Sequence, residues 1–301
     1  MQIEEARRLL AERLGGGPGL PSPESARAVT ARLAQPDTLG PLVRRLSAGD
    51  LDLAECTRLS YRHVLGFDKL LLLAGAPRFM LRVHLWHGGA GRAPEDIHNH
   101  RCAIASAVVR GRVRMECYET AANGVPATAY RETIDGPGGA WRLRRVGPAR
   151  LRLMCTEQYG PGRSYGLAAH TLHRVVSEEP TVTLFLETAP QRSVTDVYVR
   201  DGSRVTGYAG EHSSSTTDAI PAANGSATNG NSATGSRSVT EGSVTHGSAT
   251  NSGSVMDSGN GRSSGALRAG GAERADPPPK TPLSPAVYLA ELDSLAGSLG
   301  Y

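Results

Sequence analysis

Residues 97–111 read IHNHRCAIASAVVRG, and the parsing of this stretch decides the fold. His98 and His100 stand one residue apart, followed by a run of small apolar residues that ends at Gly111. Side chains on a β-strand repeat every second residue, so the two imidazoles point to one face. Two rings on adjacent pleats can grip a single metal ion if a third donor comes from a strand that the fold lays alongside. Two more histidines, His170 and His173, stand in HTLH about 70 residues later. His173 opens the apolar segments HRVVS and TVTLFLE and is placed to be that donor. His170 is its rival, or else a turn residue that orients a ligand ring.

Around this stretch, strand signals dominate from Leu59 to about Arg200: KLLLL, RFMLRVHLW, CAIASAVVRGRVRMECYE, WRLRRV, RLRLMCT, HRVVS, TVTLFLE and DVYVRDG. The turn signals NGVP, DGPGG, GPAR and YGPG separate them. Many short strands with no helices between them predict an antiparallel sandwich or barrel. The first 58 residues read instead as helices, EEARRLLAERL, SPESARAVTARLA and TLGPLVRRL. In the second, Ser22 suits the N-cap, Pro23 the first helical position and Glu24 the first turn, while Ser25 leaves the capping box incomplete.

Past Tyr208 the composition changes. From Glu211 to Ala286 there is no Phe, Tyr or Trp, and Ser, Thr, Gly, Asn and Ala dominate. Such a segment buries too little apolar area to offset its ordering entropy, so residues 210–284 read as a flexible tether. AVYLAELDSLAGSLGY then reads as a short helix over 285–301, with Val287, Leu289, Leu292 and Leu295 on one face. It can dock on the main domain, on a partner or on nothing. The expected organisation is a helical segment 1–58, a barrel 59–209, the tether and the terminal helix.

The chain has 301 residues, with 36 Gly, 19 Pro and only 5% aromatic residues, which favours one domain with appendages over two packed cores. No apolar run approaches the roughly 20 residues of a membrane span. The net charge of +4 is spread out, and Arg142, Arg144 and Arg145 fall in a strand segment rather than along one helix. Neither a membrane nor a nucleic acid is therefore expected as partner. Cys56, Cys102, Cys117 and Cys155 form no CxxC pair, and Glu4 and Glu5 open the chain, so the expected compartment is the reducing cytoplasm.

His98, His100 and Gly111 resemble the first motif of the cupins, in which HxH is followed by a glutamate and then, after six residues, by a glycine. The glutamate slot holds Ile104, so the resemblance implies a site of three histidines, His98, His100 and His173. In the second motif the expected glycine is His170 and the expected asparagine is Ser177. Among three-histidine cupins the chain is similar to the cysteine dioxygenase-like thiol dioxygenases over roughly residues 22–200. The likeness lies in the helical entry ending near SYRH, the strand with Trp86 leading to IHNH, and LHRVVSEEPTVTLFLETAP. It implies a jelly-roll barrel, mononuclear iron(II), use of O2, and a substrate carboxylate held by Arg62. The family's outer serine, histidine and tyrosine correspond here to Thr183, Phe185 and Glu187, and its crosslinking cysteine to Ala105. Those departures weaken the case for a thiol as substrate.

The remaining candidates come from strand alternation. In RFMLRVHLW it puts Met80, Arg82, His84 and Trp86 on one face, either a barrel lumen or solvent. In the lumen they form a pocket with a cation, a hydrogen-bonding ring and an aromatic wall. Glu187, in an apolar strand, serves as a base or amine holder, or faces outward. Tyr159 and Tyr165 enter the barrel mouth or belong to a plain turn, and Cys102 sits near the site or is a small buried thiol. Zinc, manganese, nickel or copper would also suit imidazole. The leading expectation is an iron oxygenase acting on a small anionic molecule, an amino acid, thiol or related carboxylate, in a chain that can pair as a homodimer. The alternatives are a metal-dependent isomerase or lyase that does not use oxygen, and a ligand-binding module without activity.

Overall fold

Apolar residues at helical spacing build α1 (Ile3–Gly15), α2 (Pro23–Leu33), α3 (Pro36–Ser47) and α4 (Leu53–Arg58) in the computed structural model. The structure describes residues 1–15, 21–49, 53–63, 67–88, 95–134, 141–200 and 281–299. All of them lie in one compact unit. α2 starts as its sequence demands: Ser22 Oγ accepts the Ser25 amide at 3.0 Å, and Pro23 takes the first turn. Among the described residues no helix is long and apolar enough to cross a membrane.

The strands follow in order: β1 (Tyr61–Arg62), β2 (Phe67–Gly75), β3 (Phe79–Trp86), β4 (Ile97–His98), β5 (Cys102–Arg110), β6 (Val113–Ile134), β7 (Trp141–Tyr159), β8 (Ser164–Leu167), β9 (Leu172–Val176), β10 (Thr181–Pro190), β11 (Thr195–Arg200) and β12 (Thr281–Pro282). They form two antiparallel sheets, β12-β1-β2-β3-β10-β5-β8 and β11-β4-β9-β6-β7. From β3 onward the chain changes sheet at every step except between β6 and β7, which stay together in the second sheet. This alternation defines a jelly-roll barrel, the mainly β architecture that the strand pattern predicts.

The first sheet has two working faces. Phe79, Leu81 and Val83 of β3 pack with Leu70 of β2 and Leu184 of β10 against Leu10, Leu33 and Leu42 of the helices. The alternate residues of β3 face the second sheet, as period two requires. The helices thus cover one face, and the barrel interior lies behind the other.

Two turn signals behave otherwise than expected. NGVP and GPAR lie inside the 22-residue β6 and the 19-residue β7, which pair as one long ribbon. Leu151 faces both Thr120 and Val125, so residues 121–124 are absorbed as a bulge. β7 is the sheet edge, where Pro148 forfeits no ladder bond on its open side. Of the segment read as a tether, residues 210–280 lie outside the described residues, while Thr281 and Pro282 pair with Arg62 and Tyr61.

The carboxy-terminal helix, α5 (Pro285–Ser298), docks on the same core as α3. Its apolar seam is Tyr288, Leu292, Leu295 and Ala296, and Val287, expected inside, is 41% exposed. The large ring at Tyr288 sets that rotation, because its hydroxyl reaches through the core to donate to Leu71 O at 2.5 Å.

Candidate metal centre

IHNH does two jobs at once. His98 and His100 turn into the barrel, while Asn99 between them turns away and is buried against β11. Its amide donates to Asp196 Oδ2 at 3.1 Å and its carbonyl oxygen accepts the Asp196 amide at 2.8 Å. The Asp196 carboxylate also meets Arg192 and Arg131, so the short β4 is anchored by charge-assisted bonds. The third ring comes from β9, where His173 stands directly opposite His98 in the ladder. The His100 amide donates to Ala169 O at 3.0 Å, which ties the loop before β9 to the end of β4.

The three rings converge. Their centroids are 4.8–5.1 Å apart, and one nitrogen from each lies within 4.8 Å of the others. His98 Nδ1 is 2.8 Å from Asp96 O, and His173 Nδ1 is 3.1 Å from Thr171 O. A carbonyl only accepts, so each of these rings carries its proton on Nδ1 and leaves the Nε2 lone pair for a ligand. Burial, reinforced by the neighbouring His98 ring, lowers the pKa of His173 to about 3. The same causes, with His173 added, hold His100 well below its ordinary value. Three converging rings, two of them held in the ligating tautomer, fit a divalent transition ion.

Beside the rings lies a cavity of about 40 Å³, closed on the first-sheet side by Lys69, His84, Trp86, Ser106, Tyr165 and Phe185. Phe67 stacks on Trp86 at 4.1 Å and Phe185 on His84 at 4.5 Å, so the wall is rigid. From the segment just before β4 Glu95 reaches the rim, with Oε2 accepting the Val175 amide at 3.1 Å. His84 is held well below its ordinary pKa by burial first, then by the charges of Lys69 and Arg82.

Of the residues singled out in the sequence, the structure brings His84, Trp86 and Tyr165 into this cavity with the three metal candidates. The others lie elsewhere. Arg62 is more than half exposed on β1, between β12 and β2, where Nε donates to the buried Asp68 at 3.1 Å. Arg82 points inward one row beyond the cavity, opposite Phe185 in the ladder, and faces Glu187 at 3.9 Å. Cys102 packs with Ile104 behind Phe185, and burial, followed by the Glu187 charge, raises its pKa to about 12. Tyr159 packs on Tyr165 with centroids 5.0 Å apart while its hydroxyl meets Glu157 outside. His170 is exposed in the turn before β9.

Sequence reasoning missed Lys69, Ser106 and Glu95. For Ser106 the signal was present, as the one polar residue within the apolar CAIASAVV, whereas Lys69 follows Asp68 at the head of its apolar run, which leaves its phase open. Glu95 had no such signal, since it precedes its strand.

No protein-family model matches the chain, and no curated protein matches it. Among solved structures it is similar to KdgF from a Halomonas species, at 16% identity and a TM-score of 0.26, over 42% of this chain and 82% of that one. It is similar to a cupin superfamily protein from Desulfitobacterium hafniense, at 10% identity and a TM-score of 0.24, over 38% and 72%. A third is the hydroquinone 1,2-dioxygenase from a Sphingomonas species, at 9% identity and a TM-score of 0.25, over 40% and 64%.

Proposed function

We propose that the chain is a mononuclear non-haem iron(II) oxygenase acting on a small anionic substrate. The observation that carries this reading is the set of three imidazoles, His98, His100 and His173, converging beside a small cavity. When bound, iron(II) supplies a site that can take an anionic ligand and activate O2 together.

The chain's own residues do the rest. The carbonyls of Asp96 and Thr171 hold two rings in the ligating tautomer. Phe67, Trp86 and Phe185 keep bulk water out and fix the walls against which a small substrate is oriented. Three neutral donors cancel none of the ion's double charge, and Lys69 offsets the one carboxylate on the rim, Glu95, so the loaded cavity favours an anion.

The test is anaerobic loading with iron(II), followed by oxygen-uptake assays on amino acids, thiols and short carboxylates. We expect saturable oxygen consumption on at least one of them, abolished by His98→Ala, His100→Ala or His173→Ala. A protein that takes up iron yet consumes no oxygen with any of them would count against the reading. Uptake of zinc or nickel alone, with turnover under nitrogen, would replace it with the lyase or isomerase chemistry.

A further inference from the structure

Two polar atoms side by side on the cavity wall have no hydrogen-bond partner among the described residues, His84 Nε2 and Trp86 Nε1, while Ser106 beside them is paired with the Tyr165 hydroxyl. Buried polar atoms are almost always satisfied, and an orphaned one costs free energy comparable to a lost hydrogen bond. Two of them facing one cavity point to a ligand that satisfies them together. His84 is 5% exposed and Trp86 Nε1 is buried, so bulk water does not serve them.

The same wall carries a cation. Lys69 stands directly opposite His84 in the β2–β3 ladder and lines the cavity. Its ammonium lies 5.5 Å from the Phe67 ring centroid and 5.8 Å from that of Tyr61. Among the described residues no carboxylate is within ion-pair distance of it. Glu95, the one carboxylate among the described residues of the cavity's rim, precedes β4 and has Oε2 occupied by the Val175 amide.

The cavity is small, about 40 Å³, and its wall offers few donors. Trp86 Nε1–H can only donate and the ammonium can only donate, so the partner must accept at two points. A carboxylate places one oxygen on each with its chain toward the rim, whereas a phosphate or sulfate would bury two further oxygens without donors.

We propose that Lys69 and Trp86, with His84 and Ser106 beside them, form a carboxylate-binding subsite facing the three imidazoles. The substrate class is then a short monocarboxylate. This rests on the reading of the cavity as the substrate site, and it gives the anchoring role to Lys69 in place of Arg62 and Arg82.

The test uses metal-free full-length protein, so it is independent of iron and oxygen. Trp86 and Trp141 are the two tryptophans, and a Trp141→Phe background makes fluorescence report Trp86. Sodium formate and sodium acetate are titrated at constant ionic strength, with phosphate and chloride as comparison arms. We expect formate and acetate to saturate while phosphate and chloride do not. Lys69→Met should weaken acetate roughly tenfold or more, and Lys69→Arg should restore part of the loss.

Near-UV circular dichroism establishes that each variant is folded. A folded parent with no saturable carboxylate signal, a Lys69→Met variant that titrates like its parent, or equal saturation by phosphate would each overturn the subsite. The two readings also fail separately. Loss of the carboxylate signal with iron-dependent oxygen uptake intact removes only the subsite. Acetate binding that depends on Lys69 in a protein that never takes up iron upholds the subsite and removes the oxygenase.

Discussion

At Gly111 the backbone φ is +76°, and a Cβ there would lie 2.4 Å from Thr181 Oγ1 and 2.5 Å from the Pro180 carbonyl oxygen. The glycine is needed because the turn from β5 to β6 crosses the start of β10 at backbone contact. Gly111→Ala should therefore cost about 1–3 kcal/mol for the left-handed backbone alone, with the collision added to it. Calorimetry should show a lower Tm, and an unchanged Tm would mean that the close approach is absent. At this scale the metal ligands were legible, since period two aligns His98 with His100 and the apolar run marks the strand of His173. Lys69 was not, because KLLLL announces a strand without saying which face meets the lumen. That choice is made by the helices, which claim Leu70 and leave the phase of Lys69 to the cavity.

α5 is where the elements depart most from expectation. A helix after a long polar segment reads as equally suited to any partner, yet Tyr288 is fully buried and Leu292 and Leu295 share the core of α3. Tyr288→Ala should destabilise the protein by about 3–5 kcal/mol, the range for emptying a buried aromatic site. Tyr288→Phe, which keeps the ring and removes only the bond to Leu71 O, should cost about 1 kcal/mol. Urea unfolding of the two variants separates these terms, and two equal losses would contradict the packing account. Deleting residues 211–301 consequently removes part of the core along with the tether. Turn chemistry misled at NGVP and GPAR for a related reason: Gly and Pro mark a bend, but pairing with the opposite strand decides whether it becomes a turn or a bulge.

For the molecule as a whole, the barrel encloses imidazoles that an unfolded chain would expose. His84, His100 and His173 are all held below their ordinary pKa, in each case by burial first. An unfolded histidine takes up its proton near pH 6.5, where the folded barrel does not, so acid favours the unfolded chain. Their contribution to metal-free stability is complete above about pH 6.5 and declines as pH falls, for His173 until about pH 3. Each such ring should steepen the loss by about 1.4 kcal/mol per pH unit inside its window. Urea midpoints between pH 7.5 and pH 5 should fall accordingly, and a flat profile would mean that these rings titrate freely. The barrel itself was legible from strand density. The pairing of the chain beyond residue 280 with β1 was not, because two residues in a Pro-rich stretch carry no strand signal.

Metal content by mass spectrometry, after loading and exhaustive dialysis of the parent chain and of His98→Ala, His100→Ala and His173→Ala, tests the convergence of the three rings most directly. The account predicts about one divalent ion per parent chain and roughly a tenth or less in every variant, since each ring supplies one of three donors. A parent that holds no ion, or a His173→Ala variant that keeps its full complement, would contradict it.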